Sequence, residues 1–572
     1  MPVNSYWTAE DKIPISQKKV SIQAENGLQY SLGQEINFTI PAGTGYMMPS
    51  ETYLRMDVTL KNPNTTSGSQ TALQLDSLLG GNVLIRDIRV SSGGAQNVLL
   101  EELQNVNILT ALKYDYETND DLKRRRALTE GAVAFDPACR GTEGCREDVS
   151  ANGFTNPYFD NDSANFNGTT SYKQVKCLLR LPTGIFQNDK IFPLQMTGGL
   201  RIQIILEDPA KVFRQLSTVT RNENLVSNPV FHGKDAAGSA WGKGTPTSTI
   251  FLGRDNTVTS VENCPFVKGQ TIFFQSNTNA STTEGSTEFV ITGVSVDSNL
   301  IKLTGASASN NESFDLDSDA FVVCGKMPTT FEPTATIDNV ELIVQKVEMP
   351  QGYTAKLDSM LKSGGAMNYD FLSYTNFKYS QLASDQVVNI RLPIQFSRCK
   401  SILCIPTDAT GYTTSQSLNA SETYLYNKLA SDCHALHNKS TRSGLVGIAD
   451  RASDYQFIYD GKLNPNRKVP LARISLADTK APLNQQVLIE QEKALRQANI
   501  EPLSFDAYQR NFFIGRALSL SNGVYDARGK DFNLQVEYHE PAGGPTKPHL
   551  WNNWVSHLRR IVVRGDSISL EV

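Results

Sequence analysis

Histidine is scarce in this chain, with six residues in 572, and no Cys-x-x-Cys pair occurs among its eight cysteines. Those shortages leave little material for a closed metal shell of about four ligands or for a nucleophile–base pair. Cys433-His434-Ala435-Leu436-His437 offers three candidate ligands, but no second cluster completes the set, so a polar loop is the better reading. Long apolar runs are missing too: nothing approaches the ~18 residues that a membrane helix requires. The opening residues, MPVNSYWTAEDKIPIS, carry neither a basic start nor an apolar segment, so no secretory signal is expected. The thiols are then expected to be reduced and mostly buried, although Cys139 with Cys145, and Cys399 with Cys404, lie near enough in sequence to meet. Sequons at Asn37, Asn64, Asn167 and Asn438 read as unmodified polar positions on the same logic.

Phosphate-binding signatures are also lacking. Gly242-Lys243-Gly244-Thr245 has suitable residue types without the upstream glycine that builds the cradle, and no Gly-x-Ser-x-Gly elbow occurs. A net charge of -5 argues against a chain whose main task is gripping nucleic acid. Lys123-Arg124-Arg125-Arg126 is the one basic run, and Asp120, Asp121 and Glu130 flank it. A solvated helix end or a subunit-interface pairing fits it better than phosphate contact. Arg564-Gly565-Asp566 matches an adhesion tripeptide, and a tight turn between strands explains it as well. No catalytic, cofactor-binding or metal-binding residue is therefore nominated, no cofactor is expected, and an enzyme is not the favoured class.

What is present is strand periodicity. Phe532, Leu534, Val536 and Tyr538 alternate with Asn533, Gln535, Glu537 and His539, which places one face in a core and the other toward water. Ile568, Leu570 and Val572 alternate with Ser567, Ser569 and Glu571 in the same way. The segment GLRIQIILEDP from Gly199 to Pro209 echoes DFNLQVEYHEP from Asp531 to Pro541, with apolar residues in the same slots. Each copy follows a helix-like segment. Val98 to Tyr116 carries Leu99, Leu103, Val106, Leu109 and Leu112 at helical spacing behind Asn97 as N-cap, and Pro482 to Ala498 has Pro482 suited to a first helical position. Strand, helix, strand, twice over, reads as a duplicated β-rich unit.

The length suggests roughly two to four domains. Residues 1–16 read as an arm. Strands are expected over Val20–Ile40, Thr52–Leu60 and Val83–Val90, with the turn Ser91-Ser92-Gly93-Gly94 leading into the first helix. A polar stretch from Gly131 to Thr170 reads as an exposed loop. Val175, Cys177, Leu179 and Leu181 then form another strand, with Leu178 the one apolar residue on its polar side. Residues 215–333, rich in Ser, Thr, Asn and Gly, read as an insertion with a small β module of its own. Its strand signals are Gln270–Phe274 and the runs around an Asp297-Ser298-Asn299 turn. The first unit resumes at Val340–Glu348 and so spans 17–350. Residues 351–365 form a bridge, and 366–572 make the second unit, with strands at Asn368–Tyr379, Val387–Phe396, Lys400–Ile405 and Gln456–Tyr459.

This order of segments resembles the double jelly-roll major capsid proteins of polinton-like viruses, virophages and larger eukaryotic DNA viruses, most of all the polinton-like and virophage group. The residues that carry the resemblance are Asp454–Phe457 through Asp460–Pro465, the FFIGRALSLSNGVYDARGKD stretch from Phe512, and Leu558-Arg559-Arg560 entering the last strand. In the first unit they are Gly81–Val90, Gly199–Pro209 and Val340–Pro350, so most of the chain outside 215–333 is covered. The resemblance implies an all-β fold of two tandem antiparallel jelly-roll sandwiches, with short helices and a β-rich insertion in the first. It also implies a structural protein of the virion shell, made in an infected eukaryotic cell. Such a chain trimerises into pseudo-hexameric capsomers, tiles an icosahedral capsid around a double-stranded DNA genome, and meets neighbouring capsomers, penton and minor capsid proteins. Genome contact would be weak and non-specific. A carbohydrate-binding or adhesive β-sandwich is the alternative, and a glycan-processing enzyme on a jelly-roll scaffold would need paired carboxylates in a cleft.

Overall fold

A computed structural model describes residues 16–62, 72–131, 171–216, 334–409, 445–471, 485–503, 511–538 and 548–572, apart from a few positions inside these runs, and six strands between 232 and 325. Eight strands of the first unit alternate apolar and polar residues and close on one another. They are β1 (Ser16–Gln23), β2 (Glu35–Pro41), β3 (Tyr46–Asn62), β4 (Ile85–Ser92), β5 (Leu99–Leu103), β6 (Ser171–Arg180), β7 (Gly199–Leu206) and β8 (Thr334–Glu348). One sheet runs β1-β8-β3-β6 and the other β2-β7-β4-β5, every pair antiparallel. Ile36, Phe38 and Ile40 of β2 and Leu200, Ile202, Ile204 and Leu206 of β7 point into the space between the sheets and are buried.

The second unit repeats this winding. Its strands are β9 (Ala366–Gln381), β10 (Val387–Leu392), β11 (Cys399–Asp408), β12 (Asp454–Tyr459), β13 (Lys462–Pro470), β14 (Ile514–Ala517), β15 (Phe532–Glu537) and β16 (His549–Arg564). The sheets run β9-β16-β11-β14 and β10-β15-β12-β13. Each label is the first unit's label plus eight, in the same spatial order. Eight antiparallel strands wound through two facing sheets in this way make a jelly roll, so the chain is a double jelly roll. The alternation read at Phe532, Leu534 and Val536 is that of β15, whose three apolar residues are wholly buried. Between the units, the bridge is a helix, α2 (Gln351–Lys362), which buries Leu357 and Leu361 and ends at Gly364 with φ of 86°.

Several expectations are corrected. The leucines from Leu99 onward do not share a helix. Leu99–Leu103 is β5, paired with β4, and the helix α1 covers only Val106–Glu117. Asn97 is not its N-cap but a turn residue at φ 43°, so the Ser91–Gly94 turn leads into a strand. Val83 and Leu84 belong to a 3-10 turn (Gly80–Leu84) ahead of β4. The second helix, α3, spans Gln485–Gln497, and Pro482 lies outside the described residues. Within 215–333, Phe289–Asp297 and Leu300–Ser307 pair as the expected hairpin in a six-stranded sheet of their own.

The final strand is also placed differently. The eighth strand of the second unit is β16, and β17 (Ser567–Glu571) folds back on its end, from Arg560↔Glu571 to Arg564↔Ser567. Its Ile568 and Leu570 are only half-buried. Because β17 supplements a sandwich that β16 already closes, deleting Ser567–Val572 is expected to cost roughly 2–4 kcal/mol, the scale of two partly buried aliphatic side chains. The truncated protein should remain soluble and folded by circular dichroism. Insoluble protein would show that β17 is required for closure.

Candidate functional site at the joint between the sandwiches

Among the described residues, those that sequence patterns single out for chemistry do not converge. Cys433, His434, His437, Cys139, Cys145, Lys123, Arg124 and Gly242–Thr245 lie outside the described residues. Arg126 is buried, its guanidinium 3.4 Å from the Tyr114 ring centroid and 3.9 Å from the Glu130 carboxylate, so the basic run is not an open patch along its whole length. Glu130 in turn accepts from Tyr114 and from Asn82 (3.2 and 3.0 Å), which holds Glu130 against α1 and the 3-10 turn. Arg564 and Gly565 are exposed at the β16–β17 turn, and Asp566 lies outside the described residues. Cys399 and Cys404 do not pair; with Cys177 they are buried free thiols, and burial pushes the Cys177 and Cys399 thiols up to about 12. Among the described residues no group of three His, Cys, Asp or Glu could hold a metal, and no helix is long and apolar enough to cross a membrane.

The concentration of buried polar chemistry lies where the first sandwich meets the second. Glu101 on β5 is wholly buried. Its carboxylate accepts from the backbone N–H of Gly184 (2.9 Å) and Ile185 (3.1 Å) in the loop after β6, and from the Ser373 hydroxyl (2.8 Å) on β9 of the other sandwich. Burial pushes the Glu101 carboxyl above the usual carboxylate range, against the three donors and the Arg559 charge. Arg559 on β16 donates to the Leu100 carbonyl, so both strands of the second unit reach β5.

Asparagines extend this seam. Asn105, at φ 52°, and Asn376 both donate to the Asn552 side-chain oxygen, at 2.8 and 2.9 Å, while Lys378 donates to the Asn105 oxygen. At the end of α1, Asn511 donates to Asp115 (2.8 Å) and accepts from the Gly447 N–H (2.7 Å), and Tyr116 meets Phe513 edge-on at 5.6 Å. On the far side, Asn188 donates to the Asp370 carbonyl (3.0 Å) and Phe192 packs edge-on against Tyr369 at 5.1 Å. Burial opposes the Asp370 carboxylate, but its hydrogen bonds to Arg560 and Arg398 outweigh that and hold its pKa below the usual range. Burial and the Arg559 charge push His557 well below its ordinary value, leaving a neutral ring that stacks on Phe396 at 4.0 Å.

The seam is continuous with the apolar interior. Trp554, Leu403, Ile405, Phe513, Tyr369 and Phe371 of the second unit belong to the same buried cluster as the first sandwich core, whereas the second sandwich interior forms a cluster of its own. A hydrogen bond that crosses the seam forms only when both partners are in place, so the Ser373–Glu101 and Asn105–Asn552 bonds favour this orientation of the two sandwiches. The chemistry of the seam is positional. Among the described residues it brings together acceptors, donors and aromatic faces, and the Thr375 hydroxyl lies 2.9 Å from Nε2 of the buried His557.

No known protein family matches the chain by sequence, and no curated protein matches it. The chain is similar to viral capsid proteins among solved structures. The Faustovirus major capsid protein matches at a TM-score of 0.46 and 9% identity, over 97% of this chain and 92% of that one. A chain of the Sputnik virophage matches at 0.46 and 8%, over 98% and 89%. The mavirus major capsid protein matches at 0.41 and 10%, over 100% and 95%. At these identities no residue role passes from any of them to this chain.

Proposed function

We propose that this chain is the major capsid protein of a double-stranded DNA virus of eukaryotes, a structural subunit and not an enzyme. The observation that carries the reading is the pairing of two sandwiches with one winding, locked by a buried seam into a single block. A block with two like lobes presents six when three copies close a ring, which suits a near-hexagonal tile. The sequence resemblance to double jelly-roll major capsid proteins points the same way. The partners are further copies of this chain, then neighbouring capsomers with penton and minor capsid proteins, and the place of action is the virion shell. The units spanning 17–350 and 366–572 are the two lobes, and 215–333 is an insertion carried by the first.

The expected result is a homotrimer of the 63.0 kDa chain, with each contact burying more than ~2,000 Å², as permanent partners do. Light scattering gives the mass, and negative-stain imaging of the same sample shows the outline. A stable single chain at micromolar concentration would overturn the capsid reading, and specific retention on a sugar array would favour an adhesive sandwich.

A further inference from the structure

A buried histidine stands behind one of the bonds that cross the seam. His557 on β16 is wholly buried. Its Nε2 lies 2.9 Å from the Thr375 hydroxyl on β9, its Nδ1 has no hydrogen-bond partner, and its ring is stacked on Phe396. Arg559, two residues along β16, donates to the same Thr375 oxygen (3.4 Å). Its other terminal nitrogen donates to the Leu100 carbonyl on β5 (3.3 Å). Ring, hydroxyl, guanidinium and carbonyl form one line from the second sandwich to the first.

Counting hydrogens fixes how this line is bonded. A hydroxyl has one hydrogen, and a neutral imidazole donates from one nitrogen and accepts at the other. If Thr375 donates to Nε2, only the Nδ1 hydrogen is unmet; with the ring hydrogen on Nε2, the hydroxyl hydrogen and Nδ1 are both unmet. Each buried orphan costs stability, so the first arrangement holds. A second proton on the ring undoes it: Nε2 turns donor, the hydroxyl hydrogen loses its acceptor, and one oxygen faces two cations. Nothing beside the ring relieves this. Arg559 opposes the charged ring, as burial does, and Glu101 and Glu102 on β5 face Arg559. Asp370 on β9 is held by Arg398 and Arg560. The segment before β11 offers Phe396, and the strands on either side pair Ser373 and Cys399 with His557, neither of them charged.

We propose that His557 is an acid-operated catch on the joint: a proton on its ring breaks the Thr375–Arg559 link and lets the two sandwiches part. The strain is relieved when Arg559 withdraws from Thr375. Arg559 is also the group that reaches Leu100, so relief and separation are one movement. The second sandwich can part without unfolding because its interior is a buried cluster of its own. The sign follows from burial, which with the Arg559 charge holds His557 below the ~6.5 of a free ring. Its contribution is therefore fully present above that pH and is lost as pH falls below it. Uptake of one proton on opening shifts the ratio of open to closed joint about tenfold per pH unit. The catch lies within one chain and does not depend on the capsid reading.

Hydrogen exchange reads the joint directly. The Leu503 N–H donates to the Tyr116 carbonyl (2.8 Å), a backbone bond between the two units, and Pro502 before it has no N–H to confuse the signal. In wild type, the protection of Leu503, corrected for the intrinsic exchange rate, should fall about tenfold for each pH unit below ~6.5. The amides of β2 and β15, inside the two sandwiches, should keep theirs. His557→Gln keeps an acceptor for the Thr375 hydroxyl and cannot take a charge, so its Leu503 protection should stay level. Protection that does not fall in wild type, or falls alike in His557→Gln, would overturn the catch. A fall shared by β2 and β15 would mean unfolding in place of separation and would overturn it too. Should His557→Gln fail to fold, Thr375→Val decides. Without the hydroxyl the neutral ring loses its donor, so the acid loss should be smaller than in wild type, and an equal loss would overturn the proposal.

Discussion

Glu101→Ala should cost about 3–5 kcal/mol, because it removes the acceptor for three buried donors at once and leaves the Arg559 charge without its nearest carboxylate. Against the ~5–15 kcal/mol that holds a domain together, a loss of that size at the joint should separate the sandwiches' unfolding into two transitions. Glu101→Gln isolates the charge. The amide keeps one oxygen, but its NH2 group faces one of the N–H donors, so a smaller loss is expected. The pH dependence has a definite sign. Burial raises the folded pKa of Glu101 above its unfolded value of ~4.3, so its contribution is fully present below that value and is lost as pH rises through the folded pKa. Denaturant unfolding of wild type and Glu101→Gln from about pH 4 to pH 8 should show wild type losing ground as pH rises. A gap that stays constant, or grows in wild type's favour, would show that Glu101 is not held up by burial.

The strands with one wet face were legible in the sequence, and those covered on both faces were not. Period-two alternation at Phe532–Tyr538 and Leu200–Leu206 gave β15 and β7 their faces because each has a core on one side only. In β5 the spacing of Leu99, Leu103 and Val106 imitates a helix, but pairing with β4 and packing under the second sandwich override it, and Leu99 ends up exposed. Glu101 carries no sequence signal at all, since an acid between leucines looks like a surface position. Strand β16 hid for the same reason: Trp551-Asn552-Asn553-Trp554-Val555-Ser556-His557 is buried throughout, so polar and apolar residues do not alternate. Buried asparagines flanked by tryptophans in a strand-length run are the signal that could have marked the joint, because a buried polar side chain calls for a partner, and Asn552 accepts from Asn105 of the first sandwich.

Gly184→Ala tests the joint by shape alone, since it changes no charge and deletes no donor. A β-carbon at position 184 would stand 1.8 Å from the Leu372 carbonyl oxygen and 3.0 Å from the Phe371 ring, both on β9 of the other sandwich. The obstacle is the backbone of β9, hydrogen-bonded along its length to β16, so it cannot swing aside as a side-chain tip would. Either the loop after β6 retreats, pulling the Gly184 and Ile185 N–H groups off Glu101, or β9 buckles. Overpacking of a closed interior costs ~1–3 kcal/mol and more when backbone must move, so about 3 kcal/mol or more is expected, with loss of the assembled species. Gly352→Ala is the matched control: nothing lies within 4 Å of its β-carbon and it sits in α2, where alanine should gain roughly 0.5–1 kcal/mol over glycine. Thermal unfolding of the two variants beside wild type reads both effects, and Gly184→Ala melting with wild type would mean that the two sandwiches do not approach each other at this loop.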